Sequence, residues 1–376
     1  MGGLVRTRRG RIARAGFGRS RTRGLGAGLL VCLLAAGTAQ AAPRHVRIAV
    51  STTLINVGYP MLTLPLSLGL WRDAGLDVEL LPVGGSLQSM QQLVAGNADF
   101  AELDSGAVVQ AHAKHGLPVR IVMDNGVIDW SVAVPAGSRL HSIADLKGKT
   151  IGVFNLATGG IAYFDSALQA AGLQPGRDVD LVPLGLGAPP VQALRYGRVD
   201  ALLYWAAATA TFENAGLHLR RLAGTDWRHY PDFSLVTMQA TIERDPKLVE
   251  AVARGMAEAS VFALANPDCA RRLQWARDPS SKPRGADEAT LVRWDMNTEA
   301  AQLASMRDAQ ALNGGKYWGR ADLAVYGRLI DFMLRTKQID HPVAASDIVI
   351  GLPGFFARIN DFDAGAVQRR AAACTS

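Results

Sequence analysis

Short segments with alternating apolar residues recur along the chain, and most are followed by a segment with helical spacing. Residues 45–51 place Val46, Ile48 and Val50 on one face, which is the period of a β-strand. Strands separated by helices of about ten residues form parallel βαβ units, so the pattern predicts an α/β fold. Further strands are predicted at 77–83, 98–103, 119–124, 150–154, 179–185, 199–205 and 232–238.

The helical segments change in character along the chain. Up to about residue 231 they are short, with a glycine marking most of their carboxyl ends. Beyond Asp232 the chain is mostly helical, and Asp245-Pro246 predicts an N-cap followed by proline in the first turn. Helices are predicted near 64–75, 86–96, 105–116, 161–171, 189–197, 246–266, 267–277, 286–306 and 322–339.

One strand–loop–helix–strand unit occurs twice. Residues 78–100 and 179–201 align without a gap at a constant offset of 101. Two similar units predict two lobes that face each other, with a ligand cleft beyond the carboxyl ends of their strands. The predicted division is a leader (1–41), a first lobe (42–134), a second lobe (135–231) and a return to the first lobe with carboxyl-terminal helices (232–376). Crossings between lobes are expected near 130–137 and 231–238.

The first 41 residues have the features of a secretory signal peptide. Eight arginines without an acid precede an apolar run that ends at Ala39-Gln40-Ala41, so we expect cleavage near Ala41 and a periplasmic protein. The formal net charge is +7, and without those eight arginines it is −1. Such a charge excludes nucleic acid as a partner class. The mature protein is expected not to span a membrane.

Motifs for covalent, metal or cofactor chemistry are not found. Cys269 and Cys374 remain after cleavage, a number that favours two free thiols over a single bridge. His112 and His115 are spaced for metal ligation, but a solvated helix face explains them better because no third ligand lies nearby. We therefore expect no enzymatic activity, cofactor or metal.

Polar and glycine residues follow the predicted strands of both lobes. A helix start with free N–H groups in the second lobe could bind an anion, with capping and a tight turn as the alternative. The ligand-binding candidates in the first lobe are Thr52, Thr53, Gly85, Ser86, Asp104 and Ser105, and those in the second lobe's loop are Asn155, Thr158, Gly159 and Gly160.

The offset of 101 pairs Asp104 with Trp205. If the two lobes are equivalent, an acid lies on one wall of the cleft and an indole on the other. Such a pair could hold an amine or N–H group beside an apolar or aromatic body, whereas the structural alternatives are a capping acid and a core tryptophan. Tyr59 and Trp130 are further aromatic candidates.

Several segments together resemble one protein group. "LPLSLGLWRDAGLDVELLPVGG", "QLVAGNADFAELDSG", "SIADLKGKTIGV" and "ALRYGRVDALLYW" are similar to segments of periplasmic solute-binding proteins of the sulfonate, nitrate, taurine and thiamine-pyrimidine group. The resemblance covers nearly the whole mature chain. It implies a two-lobed Venus-flytrap fold and delivery of a solute to an ABC permease and its ATPase. We expect the mature protein to be a monomer. Ala206-Ala207 and Ala157-Thr158 depart from the group's pattern, so the resemblance does not specify a sulfonate.

Two other functions remain open from the sequence. Relatives on the same scaffold resemble sulfinate desulfinases, a pyrimidine synthase and chorismate-dehydrating enzymes. This chain has no cysteine cluster, and a signal peptide argues against a cytosolic biosynthetic enzyme. A ligand-sensing adaptor for a membrane receptor shares the same sequence features.

Overall fold

Two five-stranded sheets organise the protein in a computed structural model that describes residues 42–375. The predicted signal peptide lies outside the described residues. The first sheet has the strand order β2-β1-β3-β10-β4, and the second has the order β7-β6-β8-β5-β9. The strands are β1 (Arg44–Val50), β2 (Leu76–Pro82), β3 (Phe100–Asp104), β4 (Val119–Asp124), β5 (Ser131–Pro135), β6 (Lys149–Val153), β7 (Val179–Pro183), β8 (Ala201–Tyr204), β9 (Leu219–Ala223) and β10 (Phe233–Met238).

The two sheets have equivalent topologies. β1 pairs in parallel with β2 and β3, and β6 pairs in parallel with β7 and β8. Next in each sheet is one antiparallel strand, β10 in the first and β5 in the second. It pairs on its other side with the edge strand, β4 or β9. The repeated unit therefore forms β2, a helix and β3 in one lobe, and β7, a helix and β8 in the other.

Helices cover both sheets and fill the carboxyl-terminal part. Asp245, Asn266 and Asp287 cap three of them by accepting backbone N–H bonds three residues ahead, which confirms the predicted Asp245-Pro246 helix start. The α-helices are α1 (Pro60–Ser67), α2 (Leu70–Asp73), α3 (Ser86–Val94), α4 (Ser105–His115), α5 (Gly160–Ala170), α6 (Ala188–Arg195), α7 (Ala206–Asn214), α8 (Gln239–Arg244), α9 (Pro246–Ala265), α10 (Pro267–Arg277), α11 (Glu288–Leu312), α12 (Leu323–Arg335), α13 (Ala345–Ile348), α14 (Phe355–Ile359) and α15 (Ala364–Ala373).

The core follows the apolar periodicity of the sequence. Val46, Ile48 and Val50 of β1 are fully buried, as their alternation predicts. α9 lies against the first lobe, where the indole of Trp71 donates a 3.0 Å hydrogen bond to the carbonyl of Val252. α11 packs against α7 of the second lobe and α10 of the first, so one 25-residue helix contacts both lobes.

A disulfide joins Cys269 to Cys374, with 5.5 Å between their Cα atoms. The expectation of two free thiols is wrong. The pair is separated by 105 residues in sequence, and a count of two cysteines carries no information on whether α10 and the end of α15 meet. The bridge ties the last helix to the carboxyl-terminal helical layer.

The chain crosses between sheets in two adjacent segments. Val127 and Pro231 form an antiparallel bridge, Ile128 N donates to Tyr230 O at 3.0 Å, and Asp232 N donates to Gly126 O at 2.9 Å. The crossings thus lie between β4 and β5 and between β9 and β10. The expected crossing segments, 130–137 and 231–238, fall mainly on β5 and β10, and the crossings themselves lie a few residues earlier in the chain.

Several elements differ from the sequence prediction. The helix predicted near 64–75 begins earlier, at Pro60 with proline in its first turn, and it is divided into α1 and α2. α3 is capped by Gly85 without a side-chain bond, and Asp104 caps α4, so Ser86 and Ser105 are not caps. In residues 42–375, no helix combines the length and apolar character needed to cross a bilayer.

Candidate functional site

A cavity of about 50 Å³ lies between the lobes, at the carboxyl ends of their parallel strands. Residues from β1, β3 and β10 meet residues that follow β6 and β8, so both lobes and the crossing segments contribute walls. This is the position where ligands bind in two facing α/β sheets. The lining residues are Ser51, Tyr59, Ser86, Asp104, Val127, Asp129, Trp130, Thr158, Trp205, Asp232, Phe233, Gln302 and Ser305.

Asp104 is the last residue of β3 and the N-cap of α4. One carboxylate oxygen, Oδ1, accepts from Gly106 N and from the hydroxyl of Tyr163, both at 2.8 Å. Its other oxygen, Oδ2, has no hydrogen-bond donor among the described residues. Because Tyr163 belongs to α5, this carboxylate joins the two lobes, and its Oδ2 lies close to the backbone of Gly159 at the edge of the cavity.

Asp232 lies beside Asp104, at the end of the second crossing segment. Its side chain is in hydrogen-bonding contact with the carboxyl of Asp104, and burial raises the pKa of both groups. The negative charge of Asp104 raises the pKa of Asp232 further. Two buried carboxyls in contact share a proton unless a cation replaces it.

A third acid, Asp129, lines the same cavity. Burial raises the pKa of Asp129 to about 6, and the positive charge of Arg228 opposes that shift. Arg228 itself pairs with Asp308 at 2.6 Å, outside the cavity lining. The cavity therefore contains three carboxyl groups, and within residues 42–375 no lysine, arginine or histidine lines it.

Aromatic rings form the remaining walls. Trp130 and Trp205 meet edge to face, with ring centroids 5.3 Å apart. Tyr59 and Phe233 form a second edge-to-face pair, at 5.9 Å. Trp205 also packs against Phe154 at 5.6 Å, which fixes its orientation from the second lobe. The site combines flat apolar surfaces with carboxylate oxygens.

The two lobes touch across the cleft. Asn155 donates from Nδ2 to the carbonyl of Gly84 at 2.6 Å, and the hydroxyl of Tyr163 reaches Asp104. Gly159 lies so close to Asp104 that a Cβ atom there would overlap the carboxylate, and a Cβ at Gly160 would overlap the indole of Trp130. These glycines permit close approach of backbone to side chain.

Six of the thirteen predicted ligand-binding residues line the cavity, namely Tyr59, Ser86, Asp104, Trp130, Thr158 and Trp205. Thr52 is buried and bonds locally to Leu54, and Thr53 is exposed. Ser105 bonds to Ser234 and the carbonyl of Asp232 beneath the cavity. The remaining four, Gly85, Asn155, Gly159 and Gly160, lie at the contact between the lobes.

Seven lining residues were not among the sequence candidates. Asp129 precedes the candidate Trp130, and Asp232 and Phe233 begin a predicted strand. The sequence could therefore have indicated these three as candidates. Gln302 and Ser305 lie on α11, far along the chain, and Ser305 Oγ accepts from Val127 N at 3.1 Å. Helical periodicity marks these two only as residues of a helix.

A larger groove of about 740 Å³ opens from the same region between α3, α4 and α5. Ser86, Asp104 and Thr158 line both the groove and the cavity. Apolar side chains dominate the groove walls, and the large exposed ones include Leu87, Val94 and Leu156.

No metal site is formed by the part of the chain that the structure describes. His112 instead donates through Nε2 to the carbonyl of Val119 at 2.6 Å, a bond that joins α4 to β4. His115 lies at the end of the same helix and lines the groove.

The fold is that of the periplasmic binding proteins, as the sequence predicts. The profile of the NMT1/THI5-like family matches residues 62–270, more than half of the chain. The chain belongs to the NMT1/THI5-like family. No curated protein matches it significantly.

Three solved structures illustrate the likeness. A protein from Bordetella bronchiseptica is 20% identical, with 89% of this chain and 98% of that chain covered and a TM-score of 0.60. The alkanesulfonate-binding protein SsuA from Xanthomonas axonopodis, bound to MOPS, is 17% identical, with coverages of 82% and 99% and a TM-score of 0.58. The desulfurization enzyme DszB, solved with biphenyl-2-sulfinic acid, is 17% identical, with coverages of 84% and 99% and a TM-score of 0.50. At these identities the likeness concerns the fold.

Proposed function

We propose that this protein is an exported solute-binding protein, which captures a small organic solute between its lobes and delivers it to an ABC permease. The observation that carries the proposal is the cavity walled by both lobes. A solute held there contacts two bodies linked by two adjacent crossing segments and α11. Such contacts stabilise the arrangement in which the lobes touch, by the solute's differential affinity for it.

Two further observations support transport. Solute-binding proteins of import systems share the fold, including SsuA from Xanthomonas axonopodis. The Cys269–Cys374 disulfide suits an oxidising compartment such as the periplasm. Export predicts that the protein recovered from the periplasm begins near Ala42. Amino-terminal sequencing that finds residues 1–41 retained would contradict export.

The binding function is tested on the mature chain, residues 42–376. Solutes are screened by thermal shift, and each hit is examined by small-angle scattering with and without the solute. A true solute at 100 times its Kd adds about 2.7 kcal/mol of stability, so the midpoint should rise by about 5–10 °C. The radius of gyration should fall, and an unchanged lobe arrangement with every hit would contradict capture by closure.

An enzyme on this scaffold is the rival, since DszB shares the fold and the cavity holds three carboxyl groups. Both cysteines of the described chain are in the disulfide, so the cavity offers no thiol nucleophile there. Mass spectrometry of a hit after prolonged incubation with the protein should recover it unchanged. A product that forms in proportion to protein concentration would establish the enzyme instead.

Delivery to a permease is tested separately. Membranes carrying the ABC permease and ATPase encoded nearest this protein are reconstituted in vesicles with the loaded protein outside. ATP-dependent uptake of the solute that requires this protein is the expected result. Binding without any such uptake would favour a sensing role.

A further inference from the structure

The charge of the cavity specifies a ligand class more closely than the fold does. Among residues 42–375, three aspartates line it, and the other polar lining side chains are hydroxyls, one amide and two indole N–H groups. Several of these hydroxyls already have partners: Ser51 bonds to Ser89 and the carbonyl of Glu102, and Ser86 accepts from Asp104 N. An anion in this cavity would face like charge without a basic partner.

Two carboxyl oxygens lining the cavity depend on each other alone. Apart from the proton that the two acids share, Asp104 Oδ2 and Asp232 Oδ1 receive no hydrogen bond from residues 42–375, although the two residues are only 5% and 4% exposed. Buried acceptors are ordinarily satisfied, because an unsatisfied one has lost its hydration without replacement. A bound group with N–H donors or positive charge would satisfy both.

The aromatic pairs point to the same chemistry. The faces and edges of Trp130, Trp205, Tyr59 and Phe233 enclose the space beside the carboxyls. Cations bind over the faces of such rings, tryptophan most strongly, and carboxylates add direct charge pairing. Aromatic walls with acids and without bases are the composition of a site for an organic cation.

The size of the cavity limits what it holds. About 50 Å³ accommodates a head group of a few heavy atoms, since one water needs about 10–15 Å³ on this measure. The adjoining groove of about 740 Å³ has apolar walls and shares Asp104 with the cavity. The remainder of a larger solute would therefore lie against apolar side chains such as Met90 and Ile161.

We propose that the solute is an organic cation whose charged nitrogen lies beside the adjoining carboxyls of Asp104 and Asp232 and against Trp130 and Trp205, with an apolar substituent directed into the groove. This inference rests on the proposed solute-binding function. It assigns to the buried acid pair the role of exchanging a shared proton for the positive charge of the solute.

The test uses pairs of probes that differ in charge and keep the same aromatic body. Benzyltrimethylammonium is compared with phenylmethanesulfonate, and phenethylamine with 2-phenylethanesulfonate, by titration calorimetry on the mature protein at neutral pH. In each pair we expect the cation to bind at least tenfold more tightly. Scattering should show the same lobe closure as for other captured solutes.

Variants locate the bound nitrogen. Asp232→Asn and Asp104→Asn keep the shape of each side chain, and asparagine remains a good helix cap at position 104. Each should weaken binding of the cations at least tenfold, whereas Asp331→Asn on the exposed face of α12 should leave it unchanged. Melting curves of all three variants show whether each is folded.

The outcomes separate this inference from the function on which it rests. Tighter binding of the sulfonates with lobe closure overturns the cation assignment and leaves capture intact. Cations that bind and are then chemically converted support the assignment and overturn transport. Failure of both probe classes to bind overturns the cation assignment, and the solute screen then decides the function alone.

Discussion

Several buried carboxyl groups of residues 42–375 have an oxygen that accepts no hydrogen bond. Glu102 accepts from Asn125 at 2.8 Å with one oxygen only, and neither oxygen of Glu299 has a donor among residues 42–375. Burial raises the pKa of Glu102 to about 8 and that of Glu299 to about 9. At neutral pH such side chains are protonated in the folded protein, and they lose the proton when the chain unfolds.

Glu299→Gln should make stability less sensitive to pH. The folded pKa of about 9 lies above the ordinary 4.5, so the contribution of the protonated side chain is complete below 4.5 and is lost as pH rises towards 9. Between pH 5 and pH 8 the native protein should lose about 2–4 kcal/mol of unfolding free energy that the variant keeps, given 1.36 kcal/mol for each pKa unit. Denaturant unfolding across pH 5–9 measures this. Parallel profiles for the two proteins would contradict it, and exposed Glu213→Gln serves as the control.

Trp205 has a different role because it is only partly buried and contacts both the cavity and the second lobe's core. Trp205→Ala should weaken solute binding by about 1–3 kcal/mol, the scale of an aromatic anchor. The loss of its contacts with Phe154 and Tyr204 should lower stability as well. Calorimetry and melting curves separate the two effects. Unchanged affinity with a much lower melting temperature would assign Trp205 to the core alone.

At the scale of elements, the carboxyl-terminal helices α9, α10, α11, α14 and α15 form a packed layer, here called the brace, against the first lobe. α9 packs against α1, α14 and α15, and α10 packs against α1 and α11. The disulfide fastens the end of α15 to α10, where Cys269 is fully buried. α11 extends this layer to α7, so the brace reaches the second lobe.

Cys374→Ser should destabilise the mature protein by about 2–5 kcal/mol, because the bridge closes a loop of 105 residues in the unfolded chain. Denaturant unfolding with and without reductant measures the loss. The reductant should lower the midpoint of the native protein and leave the serine variant unchanged. A native protein insensitive to full reduction would show that the bridge contributes little.

For the whole molecule, separation of the lobes would open the cavity to a solute, because residues of both lobes enclose it. Contacts that form across the cleft then set the balance between separated and touching lobes. Tyr163–Asp104 and Asn155–Gly84 favour contact directly. Gly159 acts through its lack of a side chain.

Gly159→Ala should oppose closure. The backbone of Gly159 has ordinary helical angles, φ −63° and ψ −32°, so alanine fits the local conformation. Its Cβ would overlap the Asp104 carboxylate only when the lobes touch. Solute affinity should fall at least about tenfold, or 1.4 kcal/mol, with little change in the melting temperature of the free protein. Gly137→Ala, whose Cβ would meet no atom within 4 Å, is the control. Equal affinity in both variants would contradict the closure role.

How much of this could be predicted from the sequence depends on the range of the interactions. The repeat at offset 101 predicted equivalent strands. From sequence positions alone it also predicted that Asp104 and Trp205 lie on opposite walls of the cleft. The antiparallel strand β5, the Cys269–Cys374 contact and the role of Gln302 depend on residues far apart in sequence. Local patterns of apolar and polar residues contain no record of such contacts.

The strand order of the first sheet has a consequence for the order in which the protein is assembled. β4 hydrogen-bonds only to β10 in its sheet, and β10 is made after the whole of the second sheet. The chain is synthesised from its amino terminus onwards. The second sheet has all its strands once Ala223 has been made, whereas the first is complete only after Met238. The lobe begun first is therefore completed last, and until then the edge of β3 awaits a partner that only the later part of the chain supplies.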